Sequence, residues 1–184
     1  MIQLAFNNWM AGSGKDACAD YLVEKHGFKK YALSDGIYEV AYTYYGIPRG
    51  TRPPRELLIH IGESLRSYDI MLWINDTLRR IAEDGHDRVI ITDVRKLLEH
   101  SVLGEKGWYN LMIYCDPAVA IERLEQRDGE AKEELIMNSS LENQLRPLKD
   151  YMKTIDNSDD FEETKKELDA LVRFLEESSS KKIS

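Results

Sequence analysis

The stretch Leu4-Ala5-Phe6-Asn7-Asn8-Trp9-Met10-Ala11-Gly12-Ser13-Gly14-Lys15-Asp16 constrains this 184-residue chain more than any other part. A short apolar run enters a glycine-rich turn, and a lysine opens a helical pattern behind it. This is the layout of a phosphate-binding loop. Backbone N–H groups of the turn, and the positive end of the following helix, are placed to cradle phosphates. Lys15 would reach the terminal phosphates as a point charge. Against the pattern G-x-x-x-x-G-K-[ST], Gly14 and Lys15 fit, and Gly12 and Ser13 support the turn. Trp9 stands where the first glycine is usual, with Asn8 beside it as a residue that tolerates left-handed backbone. Asp16 stands where a Ser or Thr usually meets magnesium; a carboxylate also holds that ion, directly or through water. The alternative is a strand-to-helix turn with no ligand. It is the weaker reading, because lysine rarely follows Gly-Ser-Gly at a helix start for packing alone.

The length suits one domain with a full core. Apolar residues make up 42% and charged residues 32%, as in ordinary globular proteins. The net charge of -8 leaves no global basic footprint, so a nucleic-acid partner is not expected. Cys18 and Cys115 have no metal spacing and read as reduced core thiols. Met1 leads straight into a strand, with no signal or spanning segment, so the expectation is a cytoplasmic protein that does not engage membrane.

Periodicity predicts strands at 2–7, 28–33, 89–92, 111–115 and 151–155. It predicts helices over 15–25, 35–45, 55–68, 70–84, 117–126, 141–148 and 161–177. The first helix should turn Ala17, Cys18, Tyr21 and Leu22 inward, with Gly27 ending it. Ser34 or Asp35 should cap the second helix. Asp116-Pro117 reads as an N-cap with proline at the first helical position. The last helix should bury Leu168, Leu171, Val172 and Leu175. The segment 127–140 is polar and irregular, and 178–184 reads as a frayed tail. Alternating strands and helices imply a mainly parallel five-stranded sheet with helices on both faces, an α/β class. Ligands then sit at the carboxyl ends of the strands, where Asn8, Ser34, Asp93 and Asp116 all lie.

Several other residues carry possible chemistry. Asp93 ends the strand Val89-Ile90-Ile91-Thr92, where phosphate-loop enzymes place a magnesium-organising carboxylate; it would otherwise be a strand-end cap. Arg95 either reaches an anionic ligand or pairs with a surface acid. Arg52, Arg55 and Arg66, in a proline-rich loop and the helix behind it, suit the phosphate of a second substrate better than they suit three isolated surface positions. Arg123 and Arg127 share one helix face and lead into a segment that could close as a lid; the alternative is a salt-bridged helix end. Arg146 is a weaker candidate of that kind. Trp73, Tyr38, Tyr42, Tyr44 and Tyr45 could stack on a base, but at helical spacing core packing is the commoner use. The four histidines form no ligand motif.

Taken together, the chain resembles the phage-type deoxynucleoside monophosphate (dNMP) kinases within the P-loop nucleotide kinases. The resemblance rests on Gly12-Ser13-Gly14-Lys15-Asp16, Tyr31-Ala32-Leu33-Ser34-Asp35, Pro54-Arg55-Glu56-Leu57-Leu58 with Ile61-Gly62 and Arg66, Trp73, Ile90-Ile91-Thr92-Asp93-Val94-Arg95, and Ile155-Asp156-Asn157. These run in order over most of the chain. Departures are Trp9, Ala17 where Thr is common, and Glu63-Ser64 where a Thr-Glu pair is usual. The resemblance implies a three-layer α/β/α P-loop fold. It implies one domain over 1–177, an acceptor-binding helical region near 35–85 and a lid near 123–145. It implies ATP as donor, Mg2+ as cofactor and a dNMP as acceptor. Ala11, Gly12, Ser13, Gly14, Lys15, Asp16 and Ala17 would hold the donor, with Asn157 near the adenine. Asp16 and Asp93 would organise magnesium. Asp35, Arg52, Arg55, Arg66, Trp73 and Arg95 would hold the acceptor, and Arg123 and Arg127 would close over the transfer. Partners would be small nucleotides, and a homodimer is compatible with the sequence.

Two other readings stand beside this one. A hydroxyl of a small molecule or a modified DNA base could be the acceptor, with Asp35 taking its proton. A nucleotide-binding protein without catalysis is the other, motivated by Trp9 and the missing Ser/Thr.

Overall fold

A computed structural model of the chain describes residues 1–7, 10–129 and 144–181. The chain divides into two compact units, residues 1–30 with 87–184, and residues 31–86. The first is built on a five-stranded parallel sheet. Its strands are β1 (Ile2–Asn7), β2 (Lys29–Tyr31), β3 (Arg88–Val94), β4 (Tyr109–Tyr114) and β5 (Thr154–Asp156), in the order β2-β3-β1-β4-β5. β1 pairs in parallel with β3 and β4, and β4 with β5. The helices of this unit are α1 (Lys15–His26), α5 (Leu97–Glu105), α6 (Pro117–Asp128) and α7 (Phe161–Lys181).

A parallel sheet needs cover on both faces, and the strand sequences supply it. Ile2, Leu4 and Phe6 of β1, Ile90 of β3, and Leu111 and Ile113 of β4 share one core with Cys18, Ala19 and Leu22 of α1 and Leu168, Leu171 and Val172 of α7. The alternate residues Ala5, Val89, Ile91 and Met112 are equally buried on the opposite face, as is Leu103 of α5. The α7 stripe is as expected, with Leu175 half-buried against the core. In α1 the buried residues are Cys18, Ala19 and Leu22, while Ala17 is exposed. The helical step of about 100° turns 17 away from the face that 18 and 22 share. The carboxyl-terminal helix runs to Lys181 rather than fraying at 178. Both cysteines are buried and unpaired.

α1 and α7 are also joined by a polar clamp. Asp169 of α7 accepts from Tyr21 Oη at 2.8 Å, Lys25 Nζ at 2.9 Å and His26 Nε2 at 2.7 Å. Partial burial works against its ionisation, but these three donors hold the carboxyl well below the usual range. A depressed pKa adds stability above the unfolded value of about 3.9 that is lost as pH falls below it. Asp169→Ala is therefore expected to cost about 2 kcal/mol at neutral pH, and the deficit should shrink below about pH 4; urea melts at pH 7 and pH 3 check both.

The second unit holds α2 (Asp35–Tyr44), α3 (Arg55–Tyr68) and α4 (Leu72–Asp84) around Ala41, Ile61 and Trp73. Gly62 lets α3 approach α2, since a Cβ there would lie 3.0 Å from Ile37 Cδ1. Ser34 is the N-cap residue of α2 but makes no side-chain cap. The α2 tyrosines are not core residues: Ala41 is the buried position of that helix, Tyr38 and Tyr42 are half-buried, and Tyr44 and Tyr45 are exposed. Ile37 and Val40 make the packing contact instead. Of the segment expected as a helix over 141–148, residues 146–148 form a 3-10 turn. Among the described residues no helix is long and apolar enough to cross a membrane.

Candidate nucleotide site

β1 lies at the centre of the sheet; the chain goes out from it to the edge strand β2, returns at β3 on that side and then crosses to β4 on the other, so the carboxyl end of β1 is a switch point. The glycine loop sits there. Gly12 and Gly14 have φ of 84° and 80°, a conformation that side chains rarely adopt. Gly14 is also the N-cap of α1, and no side chain caps that helix. Among the described residues the amides of its first turn are therefore without a capping side chain from the N-cap position.

The loop is braced from two sides. Asp116 accepts from Ala118 N at 2.9 Å, and Pro117 follows at the first helical position, so α6 starts directly after β4. That places Ala120 and Leu124 beneath the loop: a Cβ at Gly12 would lie 2.6 Å from Ala120 O and 3.1 Å from Leu124 Cγ. On the other side a Cβ at Gly14 would overlap Asn157 Nδ2. Asn157 is buried; its Nδ2 donates to Ser13 O at 2.9 Å, and its Oδ1 accepts from Thr164 Oγ1 at 3.0 Å. Asn157 is thus a strut under the loop, where the sequence placed it beside an adenine. Its amide is already engaged by the loop carbonyl and by α7.

Lys15 Nζ donates to both carboxylate oxygens of Asp16 at 2.9 Å. The lysine side chain is 15% exposed and the aspartate 68%, so the ammonium is held at the loop while the carboxylate faces solvent. Arg123 stands beside the loop on α6, its Nη1 donating to Cys115 Sγ at 3.3 Å and lying 3.6 Å from a Cβ built at Gly14. Arg127, one turn on, is exposed at the end of the helix. Burial pushes the Cys18 thiol up to about 12, and raises Cys115 as well, so neither is a thiolate nucleophile at neutral pH. Most of the segment expected as a lid, residues 130–143, lies outside the described residues.

Asp93 lies within β3, not beyond it, and is half-buried. Between Ala5/Ile91 and Asn7/Val94 the register slips by one residue, so β3 bulges at Thr92-Asp93 beside the end of β1. Bulges of this kind re-aim a side chain at a strand end. Arg95 is half-buried after the strand; its amide and that of Lys96 donate to Glu99 Oε2 at 2.9 and 3.0 Å.

A polar group that sequence reasoning passed over stands at the root of the loop. Asn7, fully buried, donates from Nδ2 to Ala5 O and to Asn110 Oδ1, both at 2.9 Å. Its Oδ1 lies 3.0 Å from His100 Nδ1, which must donate, and Asn110 Nδ2 returns to His100 O at 3.2 Å. Burial lowers the His100 pKa, so the neutral ring is favoured. The available signal was Asn7 itself: an amide inside an apolar strand must find partners.

The helical unit has a cavity of about 550 Å³. Trp73 and Asp35 line it, as do Gly36, Asp76 and Arg80. Trp73 is also a core residue, and its Nε1–H donates to Gly62 O at 3.1 Å. Arg52, Arg55 and Arg66 are not among the lining residues. Arg52 and Arg55 are exposed, and Arg66 pairs with Glu63 at 2.5 Å. Arg80 and Asp76 were not anticipated, although arginine four residues after aspartate on a helix is a legible pair.

The loop fits a polyphosphate: positive-φ glycines, uncapped amides and a lysine converge on one point. Among the described residues no group of three or more His, Cys, Asp or Glu could hold a metal ion by itself. That is compatible with magnesium, which takes one or two carboxylates and completes its shell with phosphate and water.

No known protein-family model matches the chain. Over 113 residues it is 33% identical to "Uncharacterized protein ORF77" of Ictalurid herpesvirus 1 (strain Auburn), covering 60% of this chain and 49% of that protein. The chain thus spans about half the length of this curated relative. Among solved structures it matches TT1252 from Thermus thermophilus with a TM-score of 0.56 at 17% identity, over 95% of this chain and 99% of the other. It matches a gluconokinase from Sinorhizobium meliloti 1021 with a TM-score of 0.57 at 20% identity, over 97% of each chain. With its parallel sheet and its glycine loop at the end of the central strand, the chain has the α/β fold of P-loop kinases.

Proposed function

We propose that the protein is an ATP-dependent phosphotransferase whose acceptor is a deoxynucleoside monophosphate, giving the diphosphate and ADP. The observation that carries the reading is the braced glycine loop, with Lys15 at the uncapped start of α1. When bound, ATP supplies the phosphoryl group and magnesium neutralises its charge. The amides of 11–17 and Lys15 hold the donor phosphates, with Lys15 exchanging its Asp16 partner for them. Asp16 and Asp93 are the carboxylates for the cation. Arg123, already beside Gly14, steadies the transferring group, and Arg127 extends the same face. Arg52, Arg55, Arg66 and Arg95 take the acceptor phosphate, and Trp73 and Asp35 its nucleoside. Asn157 braces the loop and, on the sequence reading, lies near the adenine.

No general base is needed. A monophosphate has its second pKa near about 6 and is already largely ionised at pH 7. Asp35 suits a binding role, since its Oδ2 accepts from Ala32 N at 2.9 Å and Arg80 Nη1 at 3.0 Å. The workplace this implies is the cytoplasm, with small nucleotides as partners.

Incubation with ATP, magnesium and each of the common dNMPs tests the assignment, scored by ADP and by the diphosphate product. Magnesium-dependent ADP formation with at least one acceptor is the expected result. ADP at background with all of them removes it. A hydroxyl acceptor is the second reading, because Asp35 lines the cavity and its Oδ1 has no partner among the described residues. Asp35→Asn would then abolish turnover, whereas a phosphate acceptor loses only affinity.

A further inference from the structure

The cavity of the helical unit has a polarity that a phosphate would not choose. Three carboxylates, Asp35, Glu39 and Asp76, line it, and its two arginines are already engaged by acids. Glu39 is used by Arg49 and Thr43. The remaining capacity can be counted. Arg80 donates from Nε to Asp76 Oδ2 at 3.0 Å and from Nη1 to Asp35 Oδ2 at 3.0 Å. Its Nη2 donates to Ala32 O at 3.1 Å and to Thr77 Oγ1 at 2.9 Å. A guanidinium has five N–H groups, so one, on Nη1, is left. The guanidinium is thereby fixed in place. Asp35 Oδ1 accepts nothing among the described residues. Each Asp76 oxygen takes one arginine N–H, and a carboxylate oxygen can accept another.

The site therefore offers several acceptors, one donor on the fixed Arg80, two further N–H groups on the more exposed Arg79, and an aromatic wall. Its complement is a flat ring that brings several N–H groups and one carbonyl along a single edge. Gly36 lets two walls of the cavity close in on α2: a Cβ there would meet Asp76 Oδ2 at 2.8 Å and the Trp73 ring at 2.9 Å, so any larger residue would displace them. Among the common bases, thymine presents one N–H between two carbonyls. Adenine and cytosine present an amino group beside bare ring nitrogens. Guanine alone presents N1–H and an amino group next to one carbonyl. A volume of about 550 Å³ admits a purine nucleoside.

We propose that this cavity selects a guanine base, with Asp76 and Asp35 accepting from its N1–H and amino group and Arg80 donating to its carbonyl. The acceptor phosphate then lies outside the cavity. The inference rests on the nucleotide-acceptor reading above, but its test needs no turnover.

Calorimetric titration of the full chain with unphosphorylated deoxynucleosides is the experiment. Deoxyguanosine should bind at least about tenfold more tightly than thymidine, deoxycytidine or deoxyadenosine, and deoxyinosine, which lacks the amino group, should lose about tenfold or more. Asp76→Asn and Gly36→Ala should each weaken deoxyguanosine by about tenfold or more while leaving ATP affinity unchanged. Equal binding of all four deoxynucleosides, or deoxyinosine matching deoxyguanosine, overturns the proposal. So does a guanine-containing single strand that binds more tightly than dGMP. Should either variant fail to fold, the deoxyinosine comparison on the unaltered protein still decides. If guanine selectivity holds but no dNMP yields ADP, only the transfer reading has failed; if ADP forms without guanine preference, only this inference has.

Discussion

Gly14→Ala should abolish nucleotide binding and lower stability by about 3 kcal/mol. Two costs add. A non-glycine residue in the left-handed region costs roughly 1–2 kcal/mol, and Gly14 sits at φ 80°. The new methyl also overlaps Asn157 Nδ2, which must withdraw from Ser13 O. A buried amide and a carbonyl would then lose their bond, at about 1–3 kcal/mol. Against a net stability of about 5–15 kcal/mol this is a large fraction. Thermal melts and ATP titration report the two effects separately. An alanine variant with unchanged melting temperature and ATP affinity would remove the loop from the site.

Lys15→Met should show the opposite profile: near-normal stability with turnover down by about 10²–10³-fold. Among the described residues the ammonium pairs with the exposed Asp16 carboxylate, and such pairs add little to folding. On the proposed reading its value lies in the charge it presents to a transferring phosphoryl group, where removing one preorganised donor costs about that factor. Lys15→Arg should not rescue, because a planar fork cannot replace a point charge packed against helix amides. Steady-state kinetics beside circular dichroism of the folded variant tests this. A Met variant with full turnover would sink the enzymatic assignment.

The parts of the fold that were legible are those in which one residue type carries one instruction. The apolar runs of β1 and β4, and the β-branched run Val89-Ile90-Ile91-Thr92 of β3, announce a doubly covered sheet. Asp116-Pro117 marked the start of α6. The α7 stripe marked its own buried face. What failed was local and had a common cause, namely partners far away in sequence. Ala17 and Ala19 are indistinguishable by type, and only packing against the sheet decides which is buried. Spacing favoured core packing over base stacking for Tyr38, Tyr42, Tyr44 and Tyr45, yet Ile37 and Val40 fill that interface. The bracing contact of Asn157 was not legible, because the acceptor of its amide is Ser13 O, 144 positions away. Arg80 looked like any surface arginine until Ala32, Asp35 and Thr77 gathered around it.

The tie between Ser13 and Asn157 spans 144 positions. The loop is synthesised well before its strut, which follows β5. Early β1 and α1 can collapse together, but the purchase on a ligand arrives only when β5 docks. On the proposed reading, competence to hold a nucleotide is thus a property of the domain once β5 is in place, and a chain still short of that strand cannot sequester one.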